Sequence, residues 1–189
     1  MKAAASEYEF SGDAGDVKIG ALYMGRSFAG AELGSRDKQK TVLYDAGGFI
    51  VVELAIFAPK NFHGEISYSD FTLKMDSVKT PLVPATPQLV GNYLKSRAAE
   101  ERARRQRGTM QFPGEEGPQN PQQTGINSQT QVNAYHEWDA AVESGFPMGK
   151  LNSARAGNLF FEFPGKMTKV KSMSLEYQGD GGKVSLKLR

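Results

Sequence analysis

The run HEWD places His136, Glu137 and Asp139 together, three side chains of types that bind metals. On a helix, residues 136 and 139 would be neighbours at i, i+3. A metal centre needs further ligands converging from elsewhere. His63, the other histidine, has no helical spacing to this run. The expectation is a solvated polar face and no metal. The chain has no cysteine, which excludes disulfides, thiolate zinc sites and cysteine nucleophiles.

Other chemical signals are equally thin. No Gly-x-Ser-x-Gly, phosphate loop or dinucleotide fingerprint is present. PGKMTK contains Gly-Lys-x-Thr without a glycine-rich loop and sits between two expected strands, so it reads as a turn. Asp70 is expected to be a turn hydrogen-bonder and not a general base. Asp180, in GDGG, could attract a cation, but that run is a hairpin signal. We therefore expect no catalytic residue, no cofactor and no enzymatic activity. A glycan-active enzyme is the least implausible exception.

The basic run RAAEERARRQR is more informative. Arg97, Arg102, Arg104, Arg105 and Arg107 are opposed there only by Glu100 and Glu101. On a helix, Arg97, Arg104 and Arg105 fall on one side. Such a face could meet an anionic surface, whether lipid headgroups, acidic glycans or a partner protein. The favoured reading is a solvated helix with Glu101–Arg105 paired at i, i+4. No aromatic residues interleave with these arginines, which argues against nucleic acid. Tyr135, Trp138, Phe146 and Met148 lie close in sequence. They would anchor a decoration onto a core or form the centre of an interface. The candidate interaction surface is thus Arg97, Arg102, Arg104, Arg105, Arg107, Tyr135 and Trp138.

These residues sit in an interruption between two strand-rich blocks. DVKIGALYMG alternates Val17, Ile19, Ala21 and Tyr23 on one face, the period of a strand. RSFAGAELGSRDKQK, with three glycines, reads as a loop. FIVVELAIF (49–57) is apolar at nearly every position. Ile50, Val52, Leu54 and Ile56 would share one face and Phe49, Val51, Ala55 and Phe57 the other, so this strand is covered on both sides. ISYSDFTLKM then alternates, with Phe71, Leu73 and Met75 inward, and reads as the neighbour of the covered strand. VKTPLVP is a short extended piece whose prolines suit an edge.

At Thr86 the character changes. Thr86 as N-cap, Pro87 at the first helical position and Gly108 as a stop predict a helix of about 20 residues. Leu89, Val90, Tyr93, Leu94 and Ala98 form its apolar stripe. Its second half is Ala, Glu and Arg, with nothing to bury. TMQFPGEEGPQNPQQTGINSQTQ reads as a flexible linker. A short helix ending at Gly145 is expected next. Order returns at Asn158 with NLFFEF, where Leu159, Phe161 and Phe163 share a face. VKSMSLEYQG and KVSLKLR follow, the last with its lysines outward at an edge.

Composition fits this picture. A chain of 189 residues with 39% apolar and 23% charged side chains suits one domain with a large insertion and a real core. The net charge of +2 does not argue for nucleic acid. It divides as −2 over residues 1–85, +1 over 86–157 and +3 over 158–189. No apolar run is long enough for a membrane helix. MKAAASEYEF resembles the stub left by signal-peptide removal, so an extracytoplasmic location (periplasmic, secreted or surface-associated) is expected.

The fold class expected is all-β: an immunoglobulin-like antiparallel β-sandwich of about seven strands, with a partly helical and partly flexible insertion. Residues 1–15 would be a flexible lead-in, with room for a short strand at Tyr8–Phe10. Residues 16–189 would be one domain, interrupted at about 86–156.

Asn61, Ser67 or Ser69, Asp70, Phe71 and Leu73 resemble the signature of a telokin-like, immunoglobulin-fold domain family of unknown function. Gly157, Leu159, Phe161 and Pro164 resemble that family's closing segment. The resemblance covers about 100 residues in two blocks and implies a sandwich in a bacterial secreted protein or lipoprotein. It brings no catalytic residues. The insertion is longer than the family's usual connection, and FAPK precedes the central Asn61 in place of a plain strand end. Together these features lead to a non-enzymatic envelope module that binds or scaffolds a protein or envelope component through its insertion. The alternative is a structural subunit of a surface assembly or filament.

Overall fold

The computed structural model describes residues 2–32, 40–108 and 136–189. Thirteen strands and two helices are present among them. In chain order they are β1 Phe10–Ala14, β2 Val17–Gly25, β3 Ser27–Glu32, β4 Lys40–Asp45, β5 Phe49–Phe57, β6 Glu65–Ile66, β7 Phe71–Met75, β8 Val78–Leu82 and β9 Pro84–Ala85. Then come α1 Pro87–Gly108, α2 Glu137–Ser144, β10 Gly149–Lys150, β11 Arg155–Glu162, β12 Met173–Gly179 and β13 Gly182–Lys187.

The architecture is an antiparallel β-sandwich. One sheet has the order β1-β2-β5-β11-β9 and the other β13-β12-β7-β8. Their facing sides enclose the main core, which includes Ile19, Leu54, Ile56, Phe71, Leu159, Phe161, Leu175 and Tyr177. β5 is the middle strand of its sheet, as its two-sided apolar pattern requires. Ile50, Val52, Leu54 and Ile56 enter the main core. Phe49 and Val51 enter a second cluster on the other face, with Phe28, Val90, Leu94, Ala140, Ala141 and Phe160. The molecule therefore has a third layer. α1, α2 and the β3–β4 hairpin cover part of the outer side of the five-stranded sheet. Each fully buried Val, Leu or Phe there contributes roughly 1.5–3 kcal/mol, so this layer is part of the fold's stability.

Four expectations are corrected. The segment 26–40, read as a loop, holds the β3–β4 pair, registered Phe28 to Tyr44. Its small residues pack under the alanines of α2: a side chain at Gly30 would strike the Ala140 Cβ. The segment read as a flexible lead-in holds β1, paired along its length to β2, and a 3-10 turn at Ala5–Glu7 that buries Tyr8 over Gly20. β7 is not a sheet neighbour of β5 but lies in the opposite sheet, facing it across the core. Two main sheets of five and four strands exceed the seven strands expected, because the short pieces β1 and β9 extend the first sheet.

Candidate functional site

α1 forms where its capping signals place it. The Thr86 hydroxyl accepts the Leu89 N–H at 3.4 Å, and the Thr86 carbonyl accepts the Val90 N–H at 3.1 Å. Val90 and Leu94 face the sheet and are fully buried. Leu89 and Tyr93, expected in the same stripe, are only half covered, at 51% and 42% exposure. They lie on the flank of the helix, where Tyr93 meets Phe49 edge-on with ring centroids 5.2 Å apart. From Lys95 to Arg105 every residue is exposed except Ala98, which is half-buried. The helix thus leaves the body of the protein after Leu94.

The five arginines divide by role. Arg97 reaches back to the body: its guanidinium donates to Asp45 Oδ2 at 2.9 Å. That hydrogen bond raises the Arg97 pKa. Burial would raise the Asp45 carboxyl, but the Gly47 N–H, then the hydrogen bond and charge of Arg97 and the charge of Arg26, outweigh it and hold it below its ordinary value. Arg105 pairs with Glu101 at 2.7 Å, the i, i+4 bridge the spacing allows. Arg102 and Arg104 are exposed and make no ion pair among the described residues. Arg97, Glu100, Glu101, Arg104 and Arg105 line one shallow hollow along the helix, so the expected clustering of Arg97, Arg104 and Arg105 is present. The side chain of Arg107 lies outside the described residues, as do Tyr135 and the stretch read as a flexible linker.

Trp138 is an anchor. Half-buried, it packs against the second core cluster, and its ring stacks on His136 at 4.0 Å. Phe146 is buried within the main core, edge-on to Phe71. α2 holds these in place from an N-terminus at which the His136 carbonyl accepts the Asp139 and Ala140 N–H groups at 3.0 and 3.1 Å. At its other end the Phe146 N–H bonds to the Asn158 carbonyl at 3.0 Å. Gly157 is required beside that bond, since a methyl there would come 2.5 Å from the Phe146 Cα.

The weighed chemical candidates are used structurally. Asp70 accepts the Ser67 N–H at 2.8 Å, the turn role expected of it. Asp180 and Gly181 form the two-residue loop between β12 and β13, and Asp180 Oδ2 accepts the Glu65 N–H at 2.9 Å. PGKMTK contains a 3-10 turn, Met167–Lys169, between β11 and β12. No group of three metal-ligand side chains converges among the described residues.

Two arginines escaped the sequence reading. Arg26 donates to three carbonyls: Gly47 at 2.6 Å, Phe163 at 2.8 Å and Gly165 at 2.6 Å. Arg155 donates to Met148 at 3.1 Å, Pro147 at 3.3 Å and the Lys150 carbonyl. Each ties together segments that need not meet otherwise, and nothing local in the sequence marks either one.

No protein-family model matches the chain, and no curated protein matches it. Among solved structures it is similar to one described as "a putative lipoprotein (ycdA) from Bacillus subtilis subsp. subtilis str. 168", at 12% identity and a TM-score of 0.41. The match covers 94% of this chain, which spans 37% of the length of that protein. A likeness at that level leaves function to be argued from the residues. No helix among the described residues is long and apolar enough to cross a membrane.

Proposed function

We propose that this chain is a non-enzymatic extracytoplasmic module that binds or scaffolds a partner, and that the exposed half of α1 is its contact surface. One observation carries the reading. After Leu94 the helix runs on to Gly108, and from Lys95 to Arg105 it buries almost nothing. A short helix with no packed face is marginal in water, and this one carries Arg102 and Arg104, which have no ion pair among the described residues, into solvent. A basic helical projection on a packed sandwich suits an anionic partner surface. The telokin-like family reading belongs here too. It is supported by the placement of Asp70 in a turn before β7 and of Leu159 and Phe161 in the main core.

A photo-crosslinking residue placed at Arg104, and separately at exposed Lys79 on β8, tests this in cells that express the protein. A discrete adduct from position 104 that disappears with Arg102→Glu supports it. Equal adducts from both positions, or none from position 104, defeat it. Catalysis is tested apart from binding, by screening glycan hydrolase substrates with Asp70→Ala as control. The alternative, a subunit of a surface assembly, draws on β13 being a sheet edge. Light scattering that shows self-association at high concentration would favour it.

A further inference from the structure

The second basic surface lies on the outer face of the four-stranded sheet, on the opposite side of the molecule's three layers from α1. Ser174 is paired across the ladder with Lys74 on one side and Lys187 on the other. Residues directly opposite in antiparallel strands share a face, so Lys74, Ser174 and Lys187 form one row pointing to solvent. Glu176 lies in the next row, opposite Thr72 and Ser185. The other face of these strands is core, through Leu73, Leu175 and Leu186.

This row opens into a hollow of about 410 Å³, lined by Lys74, Asp76, Ser172, Ser174, Ser185, Lys187 and Arg189, with the buried Met75 and Met173 beneath. The acids are already engaged. Glu176 pairs with Lys74 at 2.8 Å, and both carboxylate oxygens of Asp76 accept the Lys171 N–H, at 3.1 and 3.2 Å. Lys187 and Arg189 make no ion pair among the described residues. Among the described residues the hollow therefore presents two cations without an ion pair beside three hydroxyls, and all but Lys74 and Asp76 of its polar lining comes from the basic closing segment 158–189.

We propose that this hollow binds an anionic saccharide, with a sulfate or carboxylate group held between Lys187 and Arg189 and sugar hydroxyls against Ser172, Ser174 and Ser185. Hydroxyls that donate and accept suit a polyhydroxylated ligand, and cations without an ion pair among the described residues suit its charge. Nucleic acid is disfavoured because the lining has no aromatic ring on which a base could stack. A lipid surface is disfavoured because no exposed apolar side chain lines the hollow to enter a bilayer. The proposal does not rest on the role assigned to α1.

Binding is measured calorimetrically at low ionic strength. The probes are a sulfated oligosaccharide, an oligouronate, an uncharged dextran oligosaccharide, inorganic sulfate and a single-stranded oligonucleotide. Saturable binding of the sulfated or uronate probe is expected. It should weaken about tenfold or more in Lys187→Glu/Arg189→Glu and several-fold in Ser174→Ala/Ser185→Ala, and should be unchanged in Lys18→Glu/Lys60→Glu, a control at two exposed lysines outside both basic surfaces. The serine variant keeps every charge, so it separates saccharide recognition from charge alone and covers the case in which the charge-reversed protein fails to fold. Four results overturn the proposal: no saturable binding of either charged saccharide, equal loss in the Lys18→Glu/Lys60→Glu control, unchanged affinity in the serine variant, or an oligonucleotide or sulfate bound as tightly.

Discussion

Arg97 and Asp45 join the insertion to the sandwich: a guanidinium from α1 meets, at 2.9 Å, a carboxylate at the end of β4, 52 residues away in sequence. The same turn is held from its other side by Arg26 on the Gly47 carbonyl. The β4–β5 connection is thus clamped between two arginines, and this clamp orients the helix that carries the exposed basic run.

The pair predicts a pH dependence. The folded pKa of Asp45 is depressed, so its contribution is present above the unfolded value, about 3.9, and is lost as pH falls through the folded value. Both partners are substantially exposed, which limits the contribution to about 0–1 kcal/mol. Urea melts of Asp45→Asn should show that small loss at neutral pH and no difference from the parent in acid. An undiminished gap in acid would show that Asp45 acts through something other than its charge.

The third layer predicts unequal costs along one helix. Leu94 is fully buried against the sheet, so Leu94→Ala should cost about 2–5 kcal/mol. Leu89→Ala, at a half-exposed position one turn earlier, should stay near 0.5 kcal/mol. Equal, small losses at both sites in denaturant melts would mean that the helix does not pack on β5 in solution.

Two turn glycines should respond differently to alanine. Gly25 has a φ of +68° with open space around it, so Gly25→Ala meets only the left-handed backbone cost, about 1–2 kcal/mol. Gly15 has a φ of +59° and its added methyl would also strike the Gly181 carbonyl, which accepts the Asp16 N–H at 3.2 Å. Gly15→Ala should therefore be the worse of the two in thermal melts. If Gly25→Ala costs as much, the contact of the β1–β2 turn with the β12–β13 turn contributes nothing.

The sequence exposes some of these relations and hides others for physical reasons. Thr86, Pro87 and Gly108 act locally, so the bounds of α1 can be read from them. The apolar residues of β5 alternate between two cores, and that pattern also lies within the segment itself. The β3–β4 pair escapes because its partners across the layer are Ala140 and Ala141, small enough that glycine and alanine suffice in the strand. Arg26 and Arg155 escape because their acceptors are backbone carbonyls, which every residue has. The row Lys74–Ser174–Lys187 exists only once three strands are in register, so linear spacing cannot show it.

Hydrogen exchange joins the fold to the proposed surface. β5 is buried on both faces and paired on both edges, so its amides should be the slowest to exchange, opening only with global unfolding. Within α1 protection should fall after Leu94. Val90 and Leu94 hold the first turns to the sheet, whereas the segment from Lys95 to Arg105 relies on helix propensity, the Glu101–Arg105 pair and the tether of Arg97 to Asp45. Removing the tether with Asp45→Asn should speed exchange beyond Leu94 and leave β5 unchanged. Saturation with a polyanion that docks on α1 should slow exchange over the same residues, since binding stabilises the helical state against its frayed one. Uniform slow exchange to Arg105 in the free protein would mean that this half of the helix is already fully supported, and would remove the argument that it awaits a partner.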